Sequence, residues 1–455
     1  MDIFKNPEDI TTGSIKNIII RLSIPVFFAN LLQVSYKLID LFFVGRLGKE
    51  AIAAISLSFP ILFLIVSFSI GFAIAGNILI SQHKGNDNDK KVNYVATQTI
   101  IFTLFLSLIL GFIGYIITPN ILSLMSLEPL VYNYSLQYMR IYFIGLVFLF
   151  MYGMSQGIMR GIGDVKTPLI IITITVILNI LLDPILIFGL GPFPALEVRG
   201  AALATIISQA ISAILCFILF ISNKYKITID LKNYKFDLKI IKKVIKLGIP
   251  SSLETTARAL ATSVLVFIIT NLGTVTTAAY GIGAKVFNIV TIPAFAISTA
   301  TTTIVGQNIG ANQTDRAVLS TKKSIKYSLY ILISLGVILF LFSSSLASIF
   351  TNEIPVIEQT STFIRFISFS IWLLGIQVII NGTLRGAGDT KTAMYITIIT
   401  LWFVRIPLVL FLTYVLNLKE IGVWLSFPIS ELIAVIISVF VIVKGTWYNK
   451  KLINH

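Results

Sequence analysis

The stretch PVFFANLLQVSYKLIDLFFVGRLG, residues 25–48, decides the fold of this 455-residue chain. It is apolar enough to cross a bilayer, yet it carries polar side chains whose spacing of three and four residues puts them on one helix face. They are Asn30, Gln33, Tyr36, Lys37 and Asp40. A carboxylate near the centre of a bilayer costs about 2.5–3.5 kcal/mol. This polar face is therefore expected to line the protein interior or a water-filled cavity.

Asp40 has two interpretations at this point. As an acid inside a span, it is a candidate site for a cation or a proton. Alternatively, Lys37 lies three residues earlier on the same face, and the two side chains simply neutralise each other. The helix alone leaves both open.

The composition predicts an all-α polytopic membrane protein. The chain is 56% hydrophobic and 12% charged, with a mean hydropathy of +0.92. At about 20 residues a crossing, twelve helices fit, and no cleavable signal peptide is evident. One cysteine, in an apolar run, and two histidines outside the spans leave no disulfide framework and no Cys- or His-based metal site. We place the helices near residues 15–44, 51–82, 93–117, 128–154, 168–190, 200–222, 247–272, 278–306, 323–350, 358–383, 392–416 and 420–444.

The net charge of +15 is explained by the orientation of the chain in a membrane and does not require a nucleic acid partner. Most basic residues fall in segments on one side of the predicted spans. The segments on the other side carry only Arg46, Lys49, Arg199 and Lys419. This asymmetry predicts that both termini are cytoplasmic, and attraction to anionic lipid accounts for the charge.

The chain is an internal duplication at an offset of 225 residues. The clearest match is RGIGDVKT, residues 160–167, with RGAGDTKT, residues 385–392. Six helices in each half predict a parallel repeat of two lobes, with a substrate cavity between them. We expect an N-lobe at 1–222, a C-lobe at 247–455, and a basic linker at 223–246 that forms an amphipathic helix on the inner surface.

Each RGxGDxKT segment is predicted to be a tight turn rather than a phosphate loop. It lacks the GxxxxGK[ST] spacing and any preceding strand. Glycine gives the backbone freedom for the turn, and Asp164 and Asp389 are expected to cap the helices that follow.

Four acids inside spans are not repeated between the halves: Asp40, Asp183, Glu254 and Glu431. Asn179 lies one helical turn before Asp183, and Pro184 follows it and frees a backbone carbonyl. These oxygens are the hard ligands that suit a Na⁺-like ion, and the carboxylate can hold a proton instead. The plainer alternative is that Asp183 only caps local backbone at the proline.

The remaining two acids have basic neighbours. Glu254 and Arg258 are four residues apart and are expected to pair along one helix. Arg405 and Glu431 fall at similar depth in the last two helices and are expected to pair likewise. All four are secondary site candidates with mainly structural roles.

The segment LLQVSYKLIDLFFVGRLGKEAIAAISL, residues 31–57, resembles the first-helix signature of the MATE (multidrug and toxic compound extrusion) family. The paired RGxGDxKT turns, the QHKG and QNIG turns and the LNILLDP segment resemble it too. The resemblance implies twelve helices in two lobes, and antiport of bulky, often cationic, organic compounds against Na⁺ or H⁺. It assigns the coupling ion to Asp40, Asn179, Asp183 and, on the sixth helix, Thr205.

The C-lobe departs from the NorM-like branch of that family, which uses a seventh-helix Glu and a tenth-helix Asp. Here Glu254 falls about one turn early, Arg258 lies nearer that place, and the tenth helix has no acid. Lys37 also replaces what is more often an uncharged polar residue. The resemblance therefore favours a cation site in the N-lobe.

The sequence as a whole predicts a multidrug efflux antiporter of the inner (plasma) membrane. We expect organic cations as substrates, no cofactor beyond the coupling ion, no nucleic acid partner and a monomer. A lipid-linked glycan flippase is the alternative, with a cationic cavity drawn from Lys37, Arg258, Lys285 and Arg405. An intramembrane enzyme is the third possibility, but no HExxH-type or nucleophile–base constellation supports it.

Overall fold

The computed structural model describes residues 9–192, 194–222, 225–230, 234–448, 450 and 452, without the side chain of Lys37. Over these residues the chain is almost entirely helical. The helices are α1 Ile15–Gly45, α2 Lys49–Gly85, α3 Asp89–Ser123, α4 Pro129–Ile144, α5 Leu146–Gly161, α6 Lys166–Phe188, α7 Val198–Ile221, α8 Leu238–Thr270, α9 Thr274–Gly310, α10 Thr314–Leu341, α11 Ser343–Ser348, α12 Ile354–Gly386, α13 Thr390–Val415 and α14 Lys419–Val443.

Eleven of the helices in the described part of the chain are long and apolar enough to cross a membrane, and α4 with α5 forms a twelfth span. The predicted twelve-span, all-α fold is confirmed. The predicted fourth helix, 128–154, is in fact a pair bent by 50°. The bend falls at Gly145, where a Cβ would collide with the side chain of Ile206 on α7. The absence of a side chain at Gly145 therefore permits the close contact between α7 and the bend.

The chain forms two compact units. The N-terminal unit is Phe28–Ser252; the C-terminal unit combines the described residues up to Phe27 with those from Leu253 onward. The divisions fall inside α1 and α8, so each of these helices contributes its first part to one unit and its remainder to the other. The division into an N-lobe at 1–222 and a C-lobe at 247–455 stays a prediction.

Each unit has an apolar core of its own. In the N-terminal unit, α2, α4 and α5 bury residues such as Leu62, Phe143 and Phe150. The core of the C-terminal unit is more aromatic, and Phe363 stacks on Trp424 with ring centroids 4.2 Å apart. Since lipid is as apolar as these side chains, close packing rather than exclusion of water holds such helices together.

The prediction of a helical linker at 223–246 is wrong for its first part. The described residues 227–230 and 234–237 have no helical structure, and α8 begins only at Leu238. Asp237 caps that helix, because its Oδ1 accepts a hydrogen bond from the backbone N–H of Lys239 at 2.9 Å.

Side chains of α3 explain why this segment stays extended. Asn93 accepts a hydrogen bond from the backbone N–H of Thr228 at 3.1 Å. Gln98 donates to the carbonyl of Lys235 at 2.6 Å and accepts from the N–H of Asp237 at 3.2 Å. Backbone groups that a helix would satisfy internally are thus satisfied by a neighbouring helix.

Both RGxGDxKT segments form the predicted turns. Gly163 and Gly388 have positive φ values of 84° and 93°, the region that favours glycine. Asp164 accepts a hydrogen bond from the N–H of Thr167 at 3.1 Å, and Asp389 accepts from that of Thr392 at 3.4 Å. The predicted caps are therefore confirmed.

Each of these aspartates also binds the segment that follows the last helix of its half. The Tyr225 hydroxyl donates to Asp164 Oδ2 at 2.7 Å, and Lys450 Nζ lies 2.7 Å from Asp389 Oδ2. Tyr225 and Lys450 are themselves 225 positions apart, so the duplication preserves the tether with different chemistry. Burial, and then the charge of Asp164, raises the pKa of the Tyr225 phenol.

Candidate functional site

A buried polar cluster in the N-terminal unit unites side chains of α1, α6 and α7. Asn179 and Asp183 are fully buried on α6, and Asn179 Nδ2 donates to Asp183 Oδ1 at 3.2 Å. The Tyr36 hydroxyl of α1 donates to Thr205 Oγ1 of α7 at 2.9 Å. Asp40 lies close enough to Tyr36 and Asp183 to interact electrostatically with both.

Local sequence positions the α6 residues. Asn179 and Asp183 are four apart, so they share one helix face. Pro184 lies inside α6 and has no N–H to donate to the carbonyl of Ile180, four residues before it. An amide oxygen, a carboxylate and a backbone carbonyl are therefore available over about one turn of helix.

Three oxygen atoms of this cluster are buried and accept no hydrogen bond from the described part of the chain: Asp40 Oδ1, Asn179 Oδ1 and Asp183 Oδ2. A buried acceptor without a donor costs about 1–3 kcal/mol, and more when the group is charged. All three atoms can only accept unless an acid is protonated, so their complement is a cation or a proton. Hard oxygen ligands of this kind suit Na⁺.

The other polar residues of the first span differ in their surroundings. Asn30 is half-buried and Gln33 is exposed. The side chain of Lys37 lies outside the described residues, so its pairing with Asp40 stays a prediction.

Two tyrosines on α4 join the cluster, and sequence reasoning missed them. The charge of Asp40 acts on both Tyr138 and Tyr142, whose ring centroids are 5.9 Å apart. Their spacing of four residues inside an apolar span was the available signal. These two side chains therefore lie near Asp40 and place aromatic residues beside the polar cluster.

The second buried carboxylate system lies in the C-terminal unit. Glu254 is 2% exposed and receives two bonds from Arg385, from Nη2 to Oε1 at 2.5 Å and from Nε to Oε2 at 3.2 Å. Asn381 and Thr397 also donate to Oε1, at 3.3 and 3.1 Å. The predicted ion pair with Arg258 is present but long, at 3.9 Å from Nη2 to Oε1, and the shorter ion pair with Arg385 was not predicted.

The signal for this network was present but ambiguous. Asn381 and Arg385 are four residues apart and therefore face the same way on α12. Arg385, however, opens the repeated RGxGDxKT turn, and its counterpart Arg160 makes such an arginine look like scaffold. Arg160 donates to Gln156 on its own helix at 3.1 Å.

The pair predicted between Arg405 and Glu431 is present. Arg405 Nη2 lies 2.5 Å from Glu431 Oε1, and Nε donates to Ser430 Oγ at 2.8 Å. The guanidinium also lies 4.6 Å from the centre of the Phe427 ring. Arg405 closes a π-helical stretch of α13, Ile399–Arg405. Both charges are buried and paired with each other, which supports a structural role, while Glu431 Oε2 accepts no hydrogen bond from the described part of the chain.

Comparison with known proteins places the chain in a family. The MatE family model matches residues 25–185 and 250–411, one segment in each half. Probable multidrug resistance protein YoeA of Bacillus subtilis is 30% identical over 94% of this chain and 93% of its own length. A Shewanella oneidensis protein named FAD transporter is 28% identical over 94% of each chain.

The fold agrees with a solved structure. The crystal structure of MATE in complex with MaL6 superposes with a TM-score of 0.91 at 22% identity, over 97% of this chain and 99% of that one. One matched segment falls in each half of the internal repeat, and the described part of the chain has helices for twelve spans. The chain therefore belongs to the MatE family of multi-span membrane transporters, which are not enzymes.

Proposed function

We propose that this protein is a secondary antiporter that exports bulky, mostly cationic organic compounds in exchange for H⁺ or Na⁺. The observation that carries the proposal is the trio of buried acceptor atoms on Asp40, Asn179 and Asp183. The name of the Bacillus relative supports multidrug export as the activity. We propose that it lies in the plasma membrane with both termini in the cytoplasm, because its basic residues concentrate on one side of the spans. We also propose that it acts as a monomer.

The cluster supports coupling by competition. When the site is empty, two carboxylates share a buried environment, and their repulsion favours uptake of any cation. A proton or Na⁺ at Asp40 and Asp183, with Asn179 and Thr205 as neutral partners, neutralises that charge. An organic cation near the Tyr138 and Tyr142 rings gains from the same charge and from cation–π attraction. Ion and drug therefore compete, and each occupies the transporter in one direction of alternating access.

Dye transport in liposomes tests this proposal. Purified protein is reconstituted with a fluorescent cationic dye, and a Na⁺ gradient and a pH gradient are imposed separately. Wild type is compared with Asp40→Asn and Asp183→Asn, which keep side-chain size and remove the charge. Asp315→Asn, at an exposed acid in the first turn of α10, is the matched control.

We expect one gradient to drive dye movement in wild type and in the control, and the two cluster variants to lose at least about 10-fold in rate. That loss corresponds to about 1.4 kcal/mol, below the cost of leaving one charged acceptor unmatched. Wild-type rates in Asp40→Asn would contradict the assignment of the coupling ion.

A lipid-linked glycan flippase remains the second candidate, favoured by the surplus of arginine in the C-terminal unit. Two of the cations predicted to line the cavity of a flippase differ in their surroundings: Arg405 forms an ion pair with Glu431, whereas Lys285 is exposed. Cells that express the protein and survive cationic dyes support the antiporter. Survival unchanged by expression, together with gradient-independent lipid movement in liposomes, would favour the flippase.

A further inference from the structure

The charges grouped around Glu254 and Glu431 in the C-terminal unit do not balance. Three arginines, Arg258, Arg385 and Arg405, face only two carboxylates, those of Glu254 and Glu431. The other four groups all interact electrostatically with Arg258. The other acidic residues of this unit lie at or near helix ends. These three arginines and two carboxylates therefore carry one surplus positive charge.

The surplus belongs to Arg258. Glu254 Oε1 already accepts from Arg385, Asn381 and Thr397, and Glu431 is bonded to Arg405. The 3.9 Å from Arg258 Nη2 to Glu254 Oε1 is too long for a hydrogen bond. The only other contact recorded for its guanidinium in the described residues is the Phe295 ring, 5.8 Å from its centre.

Arg258 lies well inside its span. It is twelve residues from the C-terminal end of α8, about 18 Å along the axis. Its side chain is 31% exposed, and none of its donors makes a hydrogen bond within the described part of the chain. A charge at such depth is costly, and a residue of this kind is a candidate functional site by default.

Resting on the antiporter proposed above, we propose that Arg258 binds an anionic group, a carboxylate or phosphate, of a molecule that enters the C-terminal unit. A planar guanidinium with free donors matches the paired oxygens of either group. The group can belong to a transported substrate or to the headgroup of an anionic lipid.

Paired dyes test the inference. The probes are a rhodamine with a free carboxylate and the methyl ester of the same dye, and binding to the purified protein is followed by fluorescence anisotropy. The variants are Arg258→Gln and the charge-preserving Arg258→Lys. The matched control is Arg365→Gln, which removes an exposed arginine of α12 that donates to Ser343.

We expect Arg258→Gln to weaken binding of the carboxylate dye by about 10-fold or more, the loss of one charge-assisted bond, and to leave binding of the ester within about 2-fold. Arg258→Lys should fall between, and the control should match wild type. The Glu254–Arg385 pair is untouched in these variants, and unchanged thermal unfolding establishes that they fold.

The same variants in nanodiscs with and without phosphatidylglycerol distinguish a lipid headgroup from a transported substrate as the source of the anionic group. Loss of bound phosphatidylglycerol in Arg258→Gln, with no change for either dye, assigns the site to a lipid headgroup. Equal binding of both dyes and of the lipid by wild type and Arg258→Gln overturns the inference. If only the antiporter proposal is wrong, Arg258 still favours the carboxylate dye in the binding assay, but neither a Na⁺ gradient nor a pH gradient drives transport of either dye.

Discussion

Replacing Arg385 by methionine should destabilise the C-terminal unit far more than the equivalent change in the other half. Methionine keeps the apolar length of the side chain but removes both bonds to Glu254. Glu254 is 2% exposed, so its charge would remain in a buried site. Breaking a buried pair in this way typically costs about 3–5 kcal/mol.

The structure sets the expected loss at the lower end of that range. Asn381 and Thr397 still donate to Glu254, and Arg258 is near enough at 3.9 Å to give partial compensation. We therefore expect a loss of about 3 kcal/mol, or roughly 6 °C or more in apparent unfolding temperature for a unit of this size. Thermal unfolding of the purified protein in detergent measures it.

The internal repeat supplies the control. Arg160→Met changes the matching arginine of the first RGxGDxKT turn, where the position equivalent to Glu254 is Ala29. The loss of stability in Arg160→Met should be clearly smaller than that in Arg385→Met. Adding Glu254→Gln to Arg385→Met should recover part of the stability, because it removes the uncompensated charge. Equal losses for the two arginine variants, or a further loss on adding Glu254→Gln, would refute the reasoning.

Two tyrosine variants make further tests. Tyr36→Phe removes the hydrogen bond to Thr205 and should slow dye transport only a few-fold, because a neutral hydrogen bond contributes about 1 kcal/mol. The liposome assay measures the transport rate, and an inactive variant would contradict a positioning role for Tyr36. Tyr225→Phe removes a bond to the Asp164 carboxylate and should lower stability by about 1.5–3 kcal/mol below pH 10, checked by thermal unfolding. The pKa of Tyr225 is raised on folding, so its contribution is complete below the unfolded pKa of about 10 and declines as pH rises above it. The difference from Tyr225→Phe should therefore shrink at higher pH, and a difference that grows would contradict this.

Features fixed by local geometry could be predicted from the sequence. The length of apolar runs determined the twelve spans, because a bilayer has one thickness. Helical spacing put Asn179 and Asp183 on one face, and positive φ at Gly163 and Gly388 follows from the need for a tight turn. The pairing of Arg405 with Glu431 followed from equal depth in neighbouring spans.

Other features depend on which surfaces meet, and the tertiary structure alone decided them. Periodicity predicted Arg258, four residues from Glu254, and this pair is present at 3.9 Å. Packing added the closer, bidentate partner Arg385, which lies 131 positions later in the chain. The linker looked helical by pattern, yet Asn93 and Gln98 satisfy its backbone instead. Side-chain spacing predicts which residues lie on one face of a helix. Only the packing of several helices determines which residues of the neighbouring helices contact that face.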